Sequence, residues 1–380
     1  MVKAYKYILI IIPLIVMGFA VYLLFKPIAM HIKPIIGKDF PSGVTALLCY
    51  SAWHNNIAQS KTFFVNSEQK ILSGDQYYLG VSHVFSDETV TNNFAVPLGY
   101  KSGAQMSDEF GQIIDYKNYK DAEVLVINDW RRKDMQFIIA YNKDGNLNTV
   151  KFPVDDMAYL GTCRDNNYVY VLINLEQYLS VTKINIEDNS YSIEHIPYTN
   201  FVRKRTDLSE ANTIVKDSVI YVGEVTHENN NDTSSVTSYN LVTKEIKSIS
   251  FDTDILYNLS IYNNNFIALF ATGIDDIGYY QQIKYMEFDN QLNEIHLSHI
   301  ANLPSNIDTA SLRDRSIVYN SVLYTIINGI NTKDSYLLSF DLSNKTTNYL
   351  AHISTNDKNR TLFDWEFLIN IDGNRYNVSY

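Results

Sequence analysis

Asp364, Trp365 and Glu366 follow one another inside a strand-like stretch, so the two carboxylates project to one side of the strand and the indole to the other. Two acids and an aromatic platform are the parts of a glycan site, where the carboxyl groups stand about 5 to 9.5 Å apart depending on mechanism. Asp252 and Asp254 flank Thr253 at a strand boundary and supply oxygen ligands of the kind calcium takes. They follow no EF-hand pattern, and turn capping is the plainer role. His296 and His299 are three apart, which on a strand sends them to opposite faces and excludes them as a ligand pair. His54, His83, His195 and His227 stand alone in sequence.

Two basic clusters interrupt an acidic chain of net charge −11: Trp130, Arg131, Arg132 and Lys133, and then Arg203, Lys204 and Arg205. Both fall in expected loops of neighbouring repeats, where guanidinium forks and the Trp130 ring would engage an acidic partner surface. The overall negative charge argues against nucleic acid, whose phosphates demand a basic surface. Cys49 and Cys163 are the only cysteines and either form one disulfide or remain separate buried thiols. No nucleophile elbow, P-loop, dinucleotide glycine fingerprint or H-E-x-x-H motif is present. The sequence implies no cofactor, and catalysis is the less expected role.

The elements that must position these residues announce themselves through turns. Aromatic or β-branched runs meet at Asp144-Gly145, Asp188-Asn189, Thr243-Lys244, Asn290-Gln291 and Asn344-Lys345, at spacings of 44, 55, 47 and 54 residues. That is the length of a four-stranded propeller blade. The spacing predicts an all-β fold, a β-propeller of seven blades. Further units are expected over Gln112 to Phe152 and from Tyr77 through Asn93 to Leu98. The closing blade is expected from both termini, with Lys61 to Val65 and Lys70 to Ser73 joining Leu362 to Ile371 and Arg375 to Tyr380. Joining the ends in this way would hide open strand edges. The many Tyr and Phe residues serve mainly as packing between blades.

The amino terminus predicts a membrane anchor. Residues 8–25 carry no charge, are bracketed by Lys6 and Lys26, and as a helix reach about 27 Å. The expected domains are an anchor at 1–30 with its helix over 8–25, a juxtamembrane lead-in at 31–60, in which Val44 to Ala58 form a short helix or an irregular strand, and a single propeller at 61–380. The partners expected are membrane lipid, through residues 8–25, and a protein. A short leader before a large body points to a single-pass protein of the cell membrane with its C-terminal domain outside the cytoplasm.

These features together suggest a tethered extracytoplasmic interaction or sensing module, a component of a larger envelope complex. The alternatives are a cell-wall polymer or carbohydrate-binding module, and an envelope glycan hydrolase with its site in the propeller funnel.

Overall fold

The computed structural model describes residues 30–33, 43–54, 57–65, 71–73, 77–79, 84–119, 122–129, 136–153, 157–175, 177–198, 208–228, 231–252, 254–274, 280–302, 316–328, 334–355, 360–371 and 374–376. The first strands are β1 (Met30–Lys33), β2 (Val44–His54), β3 (Ile57–Val65), β4 (Ile71–Ser73), β5 (Tyr77–Leu79) and β6 (Val84–Ser86). A short helix Asp87–Val90, a π-helical turn Thr91–Ala95 and a helix Gly103–Phe110 follow.

Five blades of consecutive antiparallel strands come next. Blade 1 is β7 (Gln112–Tyr119), β8 (Ala122–Asp129), β9 (Gln136–Lys143) and β10 (Asn146–Pro153). Blade 2 is β11 (Met157–Arg164), β12 (Tyr168–Leu175), β13 (Tyr178–Asn185) and β14 (Tyr191–Pro197). Blade 3 is β15 (Leu208–Lys216), β16 (Val219–Glu228), β17 (Asn231–Asn240) and β18 (Ile246–Asp252). Blade 4 is β19 (Ile255–Tyr262), β20 (Asn265–Ile274), β21 (Tyr280–Phe288) and β22 (Glu294–Asn302). Blade 5 is β23 (Ile317–Tyr319), β24 (Val322–Asn328), β25 (Asp334–Asp341) and β26 (Thr346–Thr355), with β1 added outside β26. A composite sheet where the chain ends meet has the order β28-β27-β2-β3-β4, with β27 at Arg360–Ile371 and β28 at Asn374–Tyr376.

The apolar runs are continuous because both faces of each middle strand are covered. In β12, Val169, Val171 and Ile173 pack toward blade 1, while Tyr170 and Leu172 pack toward blade 3. The period of two thus divides one strand between two interfaces. The same division places Tyr221 and Phe251 against Phe266, Phe270 and Phe288 between blades 3 and 4, and Tyr257 and Tyr285 against Phe340 between blades 4 and 5. The outer strands β14 and β18 have mostly exposed or half-buried side chains. The first strands of successive blades touch one another, which puts β7, β11, β15, β19 and β23 on the inside of the ring.

The five repeated sequence turns each join the third and fourth strands of one blade. At four of them an Asn or Asp at the end of the third strand folds the turn. The Oδ1 of Asn240 accepts from the N–H groups of Val242 and Thr243 at 2.8 and 2.9 Å, and Asn185, Asp289 and Asp341 accept from the N–H two residues ahead. Asp144 and Gly145 use positive φ instead, at 51° and 80°. In blades 2, 3 and 5 the outer turn is tied to the inner one by Ile186 N–H to Asn167 O, Leu241 N–H to Ser218 O and Leu342 N–H to Ser321 O, at 2.8 to 3.0 Å.

Three expectations are corrected here. The fold is an all-β, propeller-like ring of about five blades plus the composite sheet, not a seven-bladed ring. The segment expected to form a blade from Tyr77 through Leu98 is a two-stranded hairpin followed by helical turns, because Val90, Phe94 and Ala95 recur at helical spacing and bury against Ile113, Tyr116 and Leu125 of blade 1. Val44–His54 is a strand whose pairing with β27 shifts register between Cys49 and Tyr50, and it lies between β27 and β3, so the two terminal hairpins do not pair with each other directly. The expected anchor at residues 8–25 lies outside the described residues, and among the described residues no helix is long and apolar enough to cross a membrane.

Candidate site at the axial mouth

The inner strands end together at one end of the ring, on Tyr119, Arg164, Lys216, Tyr262 and Tyr319. Short turns follow them, and Asp217-Ser218 and Asn320-Ser321 have both residues at positive φ (49° and 61°; 49° and 59°). Asn, Asp and Ser suit such tight hairpins because a short polar side chain tolerates the left-handed region. The turns and strand ends enclose a pocket of about 910 Å³. Arg164, Lys216 and Tyr262 line it, with Asp144, Asp165 and Asp217 on the turns and Val215, Ile261 and Val318 one residue below three of the strand ends.

Lys216 Nζ donates to Asn264 Oδ1 at 3.1 Å, joining the end of β15 to the first turn of blade 4. Burial pulls its pKa below the ordinary lysine value, and Asp217 partly opposes that shift. Tyr262 reaches from blade 4 to two serines of blade 5. Hydrogen bonds from the Ser321 and Ser343 hydroxyls hold its phenol below the usual tyrosine range, against a smaller opposing effect of burial. Tyr221 and Tyr324 go the other way, pushed up to about 12 chiefly by burial. Arg164 lies over the Tyr119 ring, 5.5 Å from its centroid. Asp165 is engaged within its own turn: Oδ1 accepts from the N–H groups of Asn167 and Tyr168 at 2.9 and 2.8 Å, and Oδ2 accepts from the Tyr170 hydroxyl at 2.7 Å.

Each of β7, β11, β15 and β19 shifts register with its neighbour along its length, between Ile113 and Asp115, Tyr159 and Gly161, Leu208 and Thr213, and Leu256 and Asn258. An extra residue reverses which face later side chains take. The shifts therefore help set which side chains reach the mouth.

The sequence-derived candidates fall elsewhere. Trp130, Arg131, Arg132, Lys133, Arg203, Lys204 and Arg205 lie outside the described residues. Asp364, Trp365 and Glu366 are in β27 opposite Cys49, Leu48 and Leu47 of β2, and their side chains are outside the described set. Asp252 is exposed at the end of β18, whereas Asp254 is buried and ion-paired with Lys284. Cys163 is a buried thiol that donates to Thr213 O at 3.5 Å. The His195 ring lies tilted against Tyr178, with centroids 4.3 Å apart, on the outer strands of blade 2.

The inner strands contain no histidine, and no group of three or more His, Cys, Asp or Glu suited to a metal ion occurs among the described residues. These residues do not form a metal-ligand set at the axis. Sequence reasoning missed the mouth itself. Its signal is the alignment of Arg164-Asp165-Asn166, Lys216-Asp217-Ser218, Tyr262-Asn263-Asn264 and Tyr319-Asn320-Ser321, visible only once the blades are superposed on their first turns.

The fold and the mouth define a propeller with a ligand-sized pocket at one end of its axis. No family model matches the chain, and no curated protein matches it. Solved structures with a similar fold include three mutant forms of an apocarotenoid oxygenase from Synechocystis. One has a TM-score of 0.51 at 8% identity, and the others have 0.50 at 8% and 7%. Each match covers 91% of this chain and 97% of that one. At such identity the likeness is one of fold.

The likeness nevertheless overturns the functional expectations drawn from the sequence. The fold is one that an oxygenase uses, so the preference for a non-enzymatic role gives way. The tethered interaction or sensing module, the cell-wall or carbohydrate binder and the envelope hydrolase give way with it. Lipid as a partner through residues 8–25, and the single-pass placement with an extracytoplasmic body, find no support in the structure: residues 8–25 lie outside the described residues, and no helix among the described residues is long and apolar enough to cross a membrane.

Proposed function

We propose that this chain is an enzyme that acts on a small organic molecule bound at the axial mouth. The observation that carries the reading is the pocket of about 910 Å³, built from strand ends and turns of five successive blades, with Tyr262 set to release its proton more readily than an ordinary tyrosine. Pockets of this order suit small ligands. In this reading the Tyr262 hydroxyl, held by Ser321 and Ser343, exchanges a proton with the substrate, and the Lys216 ammonium stabilises the negative charge that develops.

The apocarotenoid oxygenase with the same fold is named for work on a small organic molecule, which supports the class of role but not the reaction.

The test is to incubate the purified full chain with a pooled small-molecule extract and to follow conversion by mass spectrometry, with Tyr262→Phe in parallel. The expected result is conversion of at least one compound, slowed roughly 100-fold or more in the variant at unchanged melting temperature. Conversion that proceeds equally in the variant, or none with the wild type, sinks the reading.

A further inference from the structure

The outer edges of the blades are guarded in different ways. Blade 5 is extended by β1, which pairs antiparallel with β26 from Met30 opposite Thr355 to Lys33 opposite His352. The pairing of β22 with β21 shifts register twice, and β10 and β18 carry Lys151 and Lys247. A covering strand, a bulge and an edge lysine each discourage a further strand from joining. β14 has none of the three. It pairs with β13 without a register shift, and among the described residues no strand lies on its other side. Its one protective residue, Pro197, stands at the last position.

This edge is also apolar. Tyr191 is 54% exposed and Ile193 38%, and among the described residues no other outer strand leaves two large apolar side chains open. Both lie on one face, with exposed His195 next along it. At opposite ends of the β13–β14 pair, Asn185 N–H donates to Ser190 O at 2.8 Å and Tyr198 N–H to Gln177 O at 3.5 Å. Bonded and non-bonded pairs alternate along an antiparallel ladder. Ser192, Glu194 and Ile196 therefore bond to β13, and the N–H and C=O groups of Tyr191, Ile193 and His195 point outward from the edge.

We propose that β14 is a self-association edge whose partner is a second copy of this chain, paired antiparallel about a twofold axis at Ile193. In that register Ile193 faces the second copy's Ile193, Tyr191 faces its His195, and Ser192 faces its Glu194. Every outward N–H then meets an outward C=O, and the exposed apolar side chains of the two strands cover one another. No carboxylate meets a carboxylate, because Glu194 is the only acid in the strand and is already ion-paired with Lys244 of blade 3. A patch that complements its own reversed copy is what an isologous interface requires, and this favours a second copy over an unrelated strand. The ring itself shows that the outer edge of a blade accepts an added strand, since β1 lies on β26. Seven residues make less than a standard interface, so the dimer should be weak, with a Kd on the order of 10 to 100 µM.

The experiment is sedimentation velocity of the full chain from about 1 to 300 µM, with amide hydrogen exchange followed by NMR at both ends of that range. Wild type should pass from monomer to dimer, and the amides of Tyr191, Ile193 and His195 should exchange more slowly in the concentrated sample. Ile193→Lys sets two ammonium groups opposite each other and should weaken the dimer about tenfold or more. Ile193→Pro removes the central outward N–H and spares the bonds to β13, and it should act in the same direction. Ser248→Lys, an exposed site on β18, should leave the dimer unchanged, and equal melting temperatures at low concentration show that the variants remain folded. A chain that stays monomeric throughout overturns the proposal. So does self-association that withstands both Ile193 variants, or that leaves exchange at the three amides unaltered, because the copies would then meet elsewhere.

Discussion

The hydroxyl of Tyr159, on the inner strand of blade 2, joins the Asp115 carboxylate of blade 1 to Thr162 Oγ1, which lies 2.6 Å away. Asp115 is fully buried, so this phenol is a donor that water does not replace. Tyr159→Phe should therefore lower unfolding free energy by about 1 to 3 kcal/mol. Urea denaturation at neutral pH measures it, and a loss within experimental error would show that the contact between blades 1 and 2 does not depend on this bond.

Glu123 of β8 is a half-buried acid with a different outcome. Burial raises its pKa more than the hydrogen bonds from the Tyr116 hydroxyl and the Asn93 amide, both 2.6 Å long, lower it. A folded-state pKa above the unfolded one contributes stability that is complete below the unfolded value, near 4.3, and is lost as pH rises through the folded value. Wild type should consequently gain on Glu123→Gln as pH falls from neutral toward about 4. Melting temperatures of the two proteins across that range decide it. A constant difference refutes the shift.

Tyr262 should be among the first tyrosines to ionise on alkaline titration, beginning below the ordinary value of about 10. Ultraviolet difference titration of wild type against Tyr262→Phe isolates its signal. Ser321→Ala and Ser343→Ala should each move that signal to higher pH, since the serine hydroxyls are the leading causes of the lowered value.

Gly43 sits where the chain enters β2, and a Cβ there would lie 2.5 Å from Tyr319 Cε1 at the end of β23. Gly43→Ala should cost about 1 to 3 kcal/mol through overpacking. Tyr319→Ala in the same chain should recover part of that loss, a coupling measurable by a double-mutant cycle.

The repeat was legible in residues that act locally. Asn240 and Asp341 fold their own turns, so Thr243-Lys244 and Asn344-Lys345 could be recognised without knowledge of the neighbours. Blade count was not legible. Phe94 has the aromatic character of a strand residue, but its partners Val90 and Ala95 follow a helical interval, and β2 enters the composite sheet from a stretch with mixed signals. The mouth was the least accessible, because Arg164, Lys216 and Tyr262 meet only after three blades have folded. The conspicuous charge clusters and acid pairs gave no hint of it, for none of them ends an inner strand.

The two ends of the ring differ in how much chain they allow. At the mouth, two residues join the first and second strands in four of the five blades, and backbone bonds tie inner to outer turns in blades 2, 3 and 5. At the far end the links range from two residues between β12 and β13 to fourteen between β22 and β23. An inserted peptide or a fused reporter would thus be absorbed at the far end without disturbing the pocket, while one added residue at Asp217 or Asn320 would displace a wall of it. The ring is in effect a one-sided chassis, with length as a free variable on one rim and a fixed dimension on the other.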